Sequence, residues 1–135
     1  MGGWYSIGIL VGLGTSIGVA TVAALARTVP ALVVAGAIAA VIGLLVFGWA
    51  EAVGGLAGVA CGTLGAGPIV TGALRRGGTR GGTAILLGLV ALVGAALAFV
   101  PVLGYLEALA VPLLGARLRR RSPDRHAGLR VLSRD

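Results

Sequence analysis

The sequence predicts an all-α fold, a polytopic transmembrane helical bundle with five membrane segments. Three observations carry that reading. Of the 135 residues, 58% are hydrophobic and 11% are charged, whereas a soluble domain carries about 25% charged residues to cover its surface. The apolar residues form runs of the ~20-residue length that a helix needs to cross hydrocarbon. Arginines sit in alternate gaps between those runs, the pattern expected when basic loops stay on one side of a membrane.

The first span is expected over about 7–26, introduced by Trp4 and Tyr5, whose amphipathic rings suit a membrane interface. It resembles a signal peptide only faintly, since Met1–Ser6 carries no charge and the apolar run exceeds the ~7–15 residues of a signal core. It is therefore read as a retained helix. Arg27, Thr28 and Pro30 end it, because proline removes a helix hydrogen bond. A second span over about 31–47 closes on Gly48, Trp49 and Glu51. A third, over about 52–74, is rich in glycine and leads into the polar stretch RRGGTRGGT at 75–83, read as a flexible connector.

The next apolar run, 83–116, is interrupted by Pro101, Gly104, Tyr105, Glu107 and Pro112. As one helix it would be about 50 Å long, against a hydrocarbon core of about 30 Å. Charge decides how it folds. Crossing once would put Arg75, Arg76 and Arg80 opposite the arginine-rich tail. Crossing twice, with a turn over Pro101–Tyr105, puts both with Arg27 on one side, as the positive-inside bias requires. Five segments follow, with the N-terminus outside and the C-terminus cytoplasmic. The last, over about 102–116, is short and would need local thinning, a snorkelling Arg117 or a re-entrant path. Four spans plus an interfacial helix is the alternative.

All eleven basic residues are arginine and give a formal net charge of +7. Seven of them, Arg117, Arg119, Arg120, Arg121, Arg125, Arg130 and Arg134, fall in the last nineteen positions. Topology accounts for that tail, and no nucleic-acid-binding motif accompanies it. The chain divides into a bundle over 1–121 and a basic cytoplasmic tail over 122–135, in which Ser122 and Pro123 favour a short helix toward Ser133. Arg75, Arg76, Arg80, Arg117, Arg119, Arg120 and Arg121 are the candidate anchors to anionic lipid head groups. His126 reads as a solvated tail residue.

Within the bundle, Gly8/Gly12, Gly14/Gly18 and Gly54/Gly58/Gly62 recur every fourth position and lie on helix faces, where small residues let backbones approach. They serve packing within the chain, self-association into a homo-oligomer, or both. Pro68, with Gly65, Gly67 and Gly72 around it, is expected to kink the third span, with Thr63 or Thr71 compensating the lost bond. Glu51 ends a span and reads as an interfacial carboxylate. Glu107 lies inside an apolar run, where a carboxylate is costly and marks a polar path or a cation-binding group. Glu107, Glu51 and Pro68 are thus the candidate path residues. Gly48-Trp49-Ala50-Glu51-Ala52 echoes Gly104-Tyr105-Leu106-Glu107-Ala108. Both elements are expected toward the outer face, by duplication or by chance in low-complexity sequence.

The lone Cys61 sits among small apolar residues and reads as a filler. No catalytic set, metal cluster or cofactor motif is expected. The leading functional expectation is a structural or accessory subunit of the plasma membrane that associates through its glycine faces. The second is a small oligomeric transporter or channel with an intramembrane glutamate.

Overall fold

The computed structural model describes residues 3–121. They form α1 (Gly3–Leu25), α2 (Thr28–Ile42, continued by a wider π turn over Gly43–Phe47), α3 (Trp49–Arg75), α4 (Arg80–Leu97) and α5 (Pro101–Arg121). Helices are the only way these apolar runs satisfy their own backbone groups in lipid. Four of them, of 23, 20, 27 and 18 residues, are long and apolar enough to cross a membrane. The fold is that of a small multi-span membrane protein. The tail expected over 122–135, with its short helix and His126, lies outside the described residues.

Close approaches fix the helix directions. Ile7, Val11 and Thr15 of α1 face Gly54, Gly58 and Gly62 of α3 in rising order, so α1 and α3 run parallel. On α2 the order reverses, with Gly43 against Ala52 and Thr28 against Gly67. On α4 it reverses too, with Gly94 at Ser16 and Ala98 at Gly12. On α5 it rises again, from Gly104 between Gly8 and Gly12 to Gly115 against Gly65. The bundle therefore goes up, down, up, down, up, with α1 at its centre touching every other helix.

The fifth segment is longer than expected. The helix continues past Ala116 through Arg121, giving 21 residues, about 31 Å at 1.5 Å per residue, but its last turn is arginine-rich and α5 is not among the four helices long and apolar enough to cross a membrane. Arginine is a good helix former and its long side chain reaches the interface from inside the span. α5 runs alongside both α1 and α3.

Other boundaries differ from expectation for local reasons. The turn before α5 is Ala98–Val100, not Pro101–Tyr105, because proline at the first helical position lacks only a donor that would have no partner there. Half of the RRGGTRGGT stretch is helical: Thr79 caps α4 by accepting a hydrogen bond from the Gly82 N–H at 3.1 Å, which leaves a connector of four residues, 76–79. The α2–α3 turn depends on Gly48, whose φ of +151° suits glycine. It closes the π turn by donating its N–H to the Gly43 carbonyl at 2.7 Å.

These directions make the two ends chemically opposite. The two Trp, two Tyr and two Phe all fall near one end, at the start of α1 (Trp4, Tyr5), the α2–α3 turn (Phe47, Trp49), the α4–α5 turn (Phe99) and the second turn of α5 (Tyr105). Tyr105 donates its hydroxyl to the Trp4 carbonyl at 3.0 Å, tying α5 to α1 there. The arginines of the described residues fall at the other end, where α1, α3 and α5 finish and α2 and α4 begin.

Candidate functional site

The α1–α3 seam is built from backbone. Gly14 and Gly18 of α1 lie under the carbonyls of Gly55 and Val59, while Gly58 and Gly62 of α3 lie under those of Val11 and Thr15. A Cβ at any of the four would collide with main chain. Thr15 and Thr63, both fully buried in this seam, return their hydroxyls to the Val11 and Val59 carbonyls at 2.8 Å each, so no polar group is left over. Gly12 admits Ala98 and Gly104, Gly54 admits Ile7, and the Gly8 carbonyl lies against Gly104. At six of the seven glycines expected to pack helices, all but Gly8, an added Cβ would meet another helix of the same chain.

Small residues of α2 and α5 form two further stripes that the glycine spacing did not reveal. Ala31, Ala35, Ala39 and Gly43 are the buried residues of α2 and its π turn. Gly104, Ala108 and Gly115 are buried on α5. On α2 the signal was present as alanine at every fourth position, which serves close approach as glycine does; on α5 the spacing of four joins only Gly104 and Ala108.

A polar junction interrupts this apolar interior where α1, α4 and α5 meet. Ser16, just past the midpoint of α1, donates its hydroxyl to Glu107 Oε1 on α5 at 2.9 Å. The second carboxyl oxygen, Oε2, is buried without a hydrogen-bond partner. Gly94 of α4 makes room for the group: a methyl there would lie 2.8 Å from Ser16 Oγ and 3.1 Å from Glu107 Cδ, and still closer to Oε1. Sequence pattern singled out Glu107 but neither Ser16 nor Gly94. Their only signal was a serine inside an apolar run and a glycine outside any four-residue repeat.

Glu51 lies elsewhere. At the third position of α3 it suits the positive end of the helix dipole, and it accepts a hydrogen bond from Ser6 at 2.8 Å. Ser6 and Ser16 are ten residues apart on α1, about 15 Å along the axis. The two echoing elements are thus not at equivalent depth. Glu51 is near the aromatic end as expected, whereas Glu107 sits well inside the bundle, because Gly104 is a packing residue within α5 while Gly48 is a turn before α3.

Pro68 is in a third place. The helix α3 continues through it, so the span is not broken. Thr71 and Thr63 bond the carbonyls of Gly67 and Val59, not that of Leu64, which the missing N–H of Pro68 leaves without its usual donor. Pro68 lines a groove of about 450 Å³ between α3 and α5, together with Leu64, Pro112, Ala116, Arg119 and Arg120. Glu107, Glu51 and Pro68 accordingly do not share one path. A smaller space of about 160 Å³ between α1 and α2 is lined by Leu10, Leu13, Gly14, Ile17, Ala39 and Ile42, with no polar side chain. Cys61 is partly exposed and free. Among the described residues no group of three His, Cys, Asp or Glu side chains is placed to hold a metal ion.

No protein-family profile matches the chain, and no curated protein or solved structure resembles it.

Proposed function

We propose that this chain is a non-enzymatic structural or accessory subunit of a bacterial-type plasma membrane. Its aromatic N-terminal end faces outside, and its arginine end lies in the cytoplasm against anionic lipid head groups, without a nucleic-acid partner. The observation that carries the reading is the α1–α3 seam: backbone contact closes the centre of the bundle, while α2 and α4 present long apolar faces, including Val33, Leu45, Leu86 and Val93. With the glycine stripes occupied inside the chain, homo-oligomer formation in this reading falls to those outward faces. Native mass spectrometry in mild detergent, with crosslinking between single cysteines at Val33 or Val93 in a Cys61→Ser background, tests it. An oligomer with crosslinks at either position is expected; a strict monomer removes the self-association part. Thiol labelling near Ser6 and Gly78 tests the orientation, with Gly78 protected from an impermeant outside reagent.

The unpartnered oxygen of Glu107 favours a second reading, in which the chain handles a proton or a small cation at mid-bundle, because an intramembrane carboxylate lacking a partner is poised to take one. Liposomes containing the full chain should then show proton or sodium flux that Glu107→Gln abolishes. Flux absent from the unaltered protein, or unchanged by Glu107→Gln, rejects it.

A further inference from the structure

The groove between α3 and α5 has two dissimilar parts. Its floor is apolar, made by Leu64 and Pro68 on one face of α3 and by Pro112 and Ala116 on one face of α5. Its mouth is cationic, made by Arg119 and Arg120. Next to the groove the helices touch at Gly65, where Val111 and Gly115 of α5 come against backbone, and each helix contributes a proline to the lining. At about 450 Å³ it falls within the ~300–1,000 Å³ of small-molecule sites.

We propose that this groove holds one anionic phospholipid, with part of an acyl chain along Leu64, Pro68, Pro112 and Ala116 and the phosphate at Arg119 and Arg120. Length and charge both fit. From Pro112 to Arg119 is seven residues, about 10 Å along α5, so the apolar floor lies at the depth of acyl chain when the guanidiniums lie at the depth of phosphate. Arginine offers a planar fork of donors that matches phosphate oxygens. Neither carboxylate of the described residues lines the groove; Glu51 and Glu107 accept hydrogen bonds from Ser6 and Ser16 on α1. A free phosphate ion would use the mouth and leave the floor empty, and a zwitterionic lipid would bring its own cation to the arginines. The site rests on the reading that the arginine end meets anionic lipid, and turns a diffuse attraction into a place for one molecule.

The test is lipid titration of the full chain in mild detergent, read by native mass spectrometry, with phosphatidylglycerol, phosphatidylcholine of the same acyl chains, and inorganic phosphate as competitor. One phosphatidylglycerol per chain is expected to be retained in preference to phosphatidylcholine. Replacing two basic residues, in Arg119→Gln/Arg120→Gln, should weaken its retention about 30-fold. Leu64→Trp, which fills the floor from an exposed position and leaves both arginines in place, should weaken it comparably. Arg75→Gln/Arg76→Gln at the same end should change it less than threefold. The proposal is overturned by equal retention of the two lipids, by displacement with inorganic phosphate, by equal effects of the two double-arginine variants, or by no effect of Leu64→Trp. Thiol labelling reports the orientation of the arginine end separately, so a failed groove and a failed topology are told apart.

Discussion

Glycine does two different jobs in the α1–α3 seam and in the α1–α4–α5 junction. In the seam, Gly14, Gly18, Gly58 and Gly62 each admit a backbone carbonyl from the neighbouring helix, so the missing side chain brings two main chains together and leaves an apolar, closed interface. At the junction, Gly94 admits a carboxyl group that arrives from α5 and meets Ser16. The first use repeats every four residues because a whole helix face must be flattened. The second needs no repeat, because one side chain needs room at one point. The four periodic glycines of the seam therefore mark packing, as do unrepeated ones such as Gly65, Gly104 and Gly115, whereas Gly94 marks the chemically distinct place.

The largest expected effect breaks the seam. Gly58→Leu would drive a side chain into the Val11 carbonyl and should destabilise the fold by about 3 kcal/mol or more, the upper range of overpacking, measured by reversible unfolding in mixed micelles. Next, Gly94→Ala should cost about 1–3 kcal/mol in the same assay. The comparison is sharpened by repeating it in a Glu107→Ala background: if the glycine serves the carboxyl group, most of the cost disappears there, giving a coupling of about 0.5–3 kcal/mol. An unchanged cost would return Gly94 to ordinary helix packing. Ser16→Ala removes one interhelical hydrogen bond and should cost about 0.6 kcal/mol, the average for such bonds in membranes, and no more than about 1.7 kcal/mol. The smallest effect is a control. Gly88 on α4 has nothing within 4 Å of an added methyl, so Gly88→Ala should be neutral or stabilising by up to about 1 kcal/mol through helix propensity.

Much of the fold is legible in the sequence because lipid imposes few solutions. Apolar run length and the placement of Arg27, Arg75, Arg76 and Arg80 lead to five helices, and the path of α5 beside α1 and α3 agrees with the charge argument that folded residues 83–116 into two segments. What was misread is local. Pro101 opens a helix instead of bending a turn, and Thr79 carries α4 back into a stretch that looks like a linker. Arginines at 117–121 extend a helix that hydropathy alone would stop at Ala116. The site was half legible: an acidic residue in an apolar run points to Glu107, but its partners are 91 positions away on α1 and one turn from the end of α4, and no local pattern joins them. Depth was the other hidden quantity. Gly-aromatic-x-Glu-Ala reads the same at 48–52 and 104–108, yet one copy lies at a helix start and the other inside a packed span.

The central position of α1 also bears on how the protein is made. The chain is synthesised from its N-terminus, so α1 enters the membrane before α3, α4 and α5, the helices that cover Gly14, Gly18 and Ser16. A partly completed chain ending near Arg76 would display Ser16 to lipid, with neither the carboxyl acceptor nor the Gly94 wall yet inserted. The Ser16 hydroxyl is thus open in an unfinished molecule and shielded in a finished one. Glu107, arriving last, closes the surface by which the two differ.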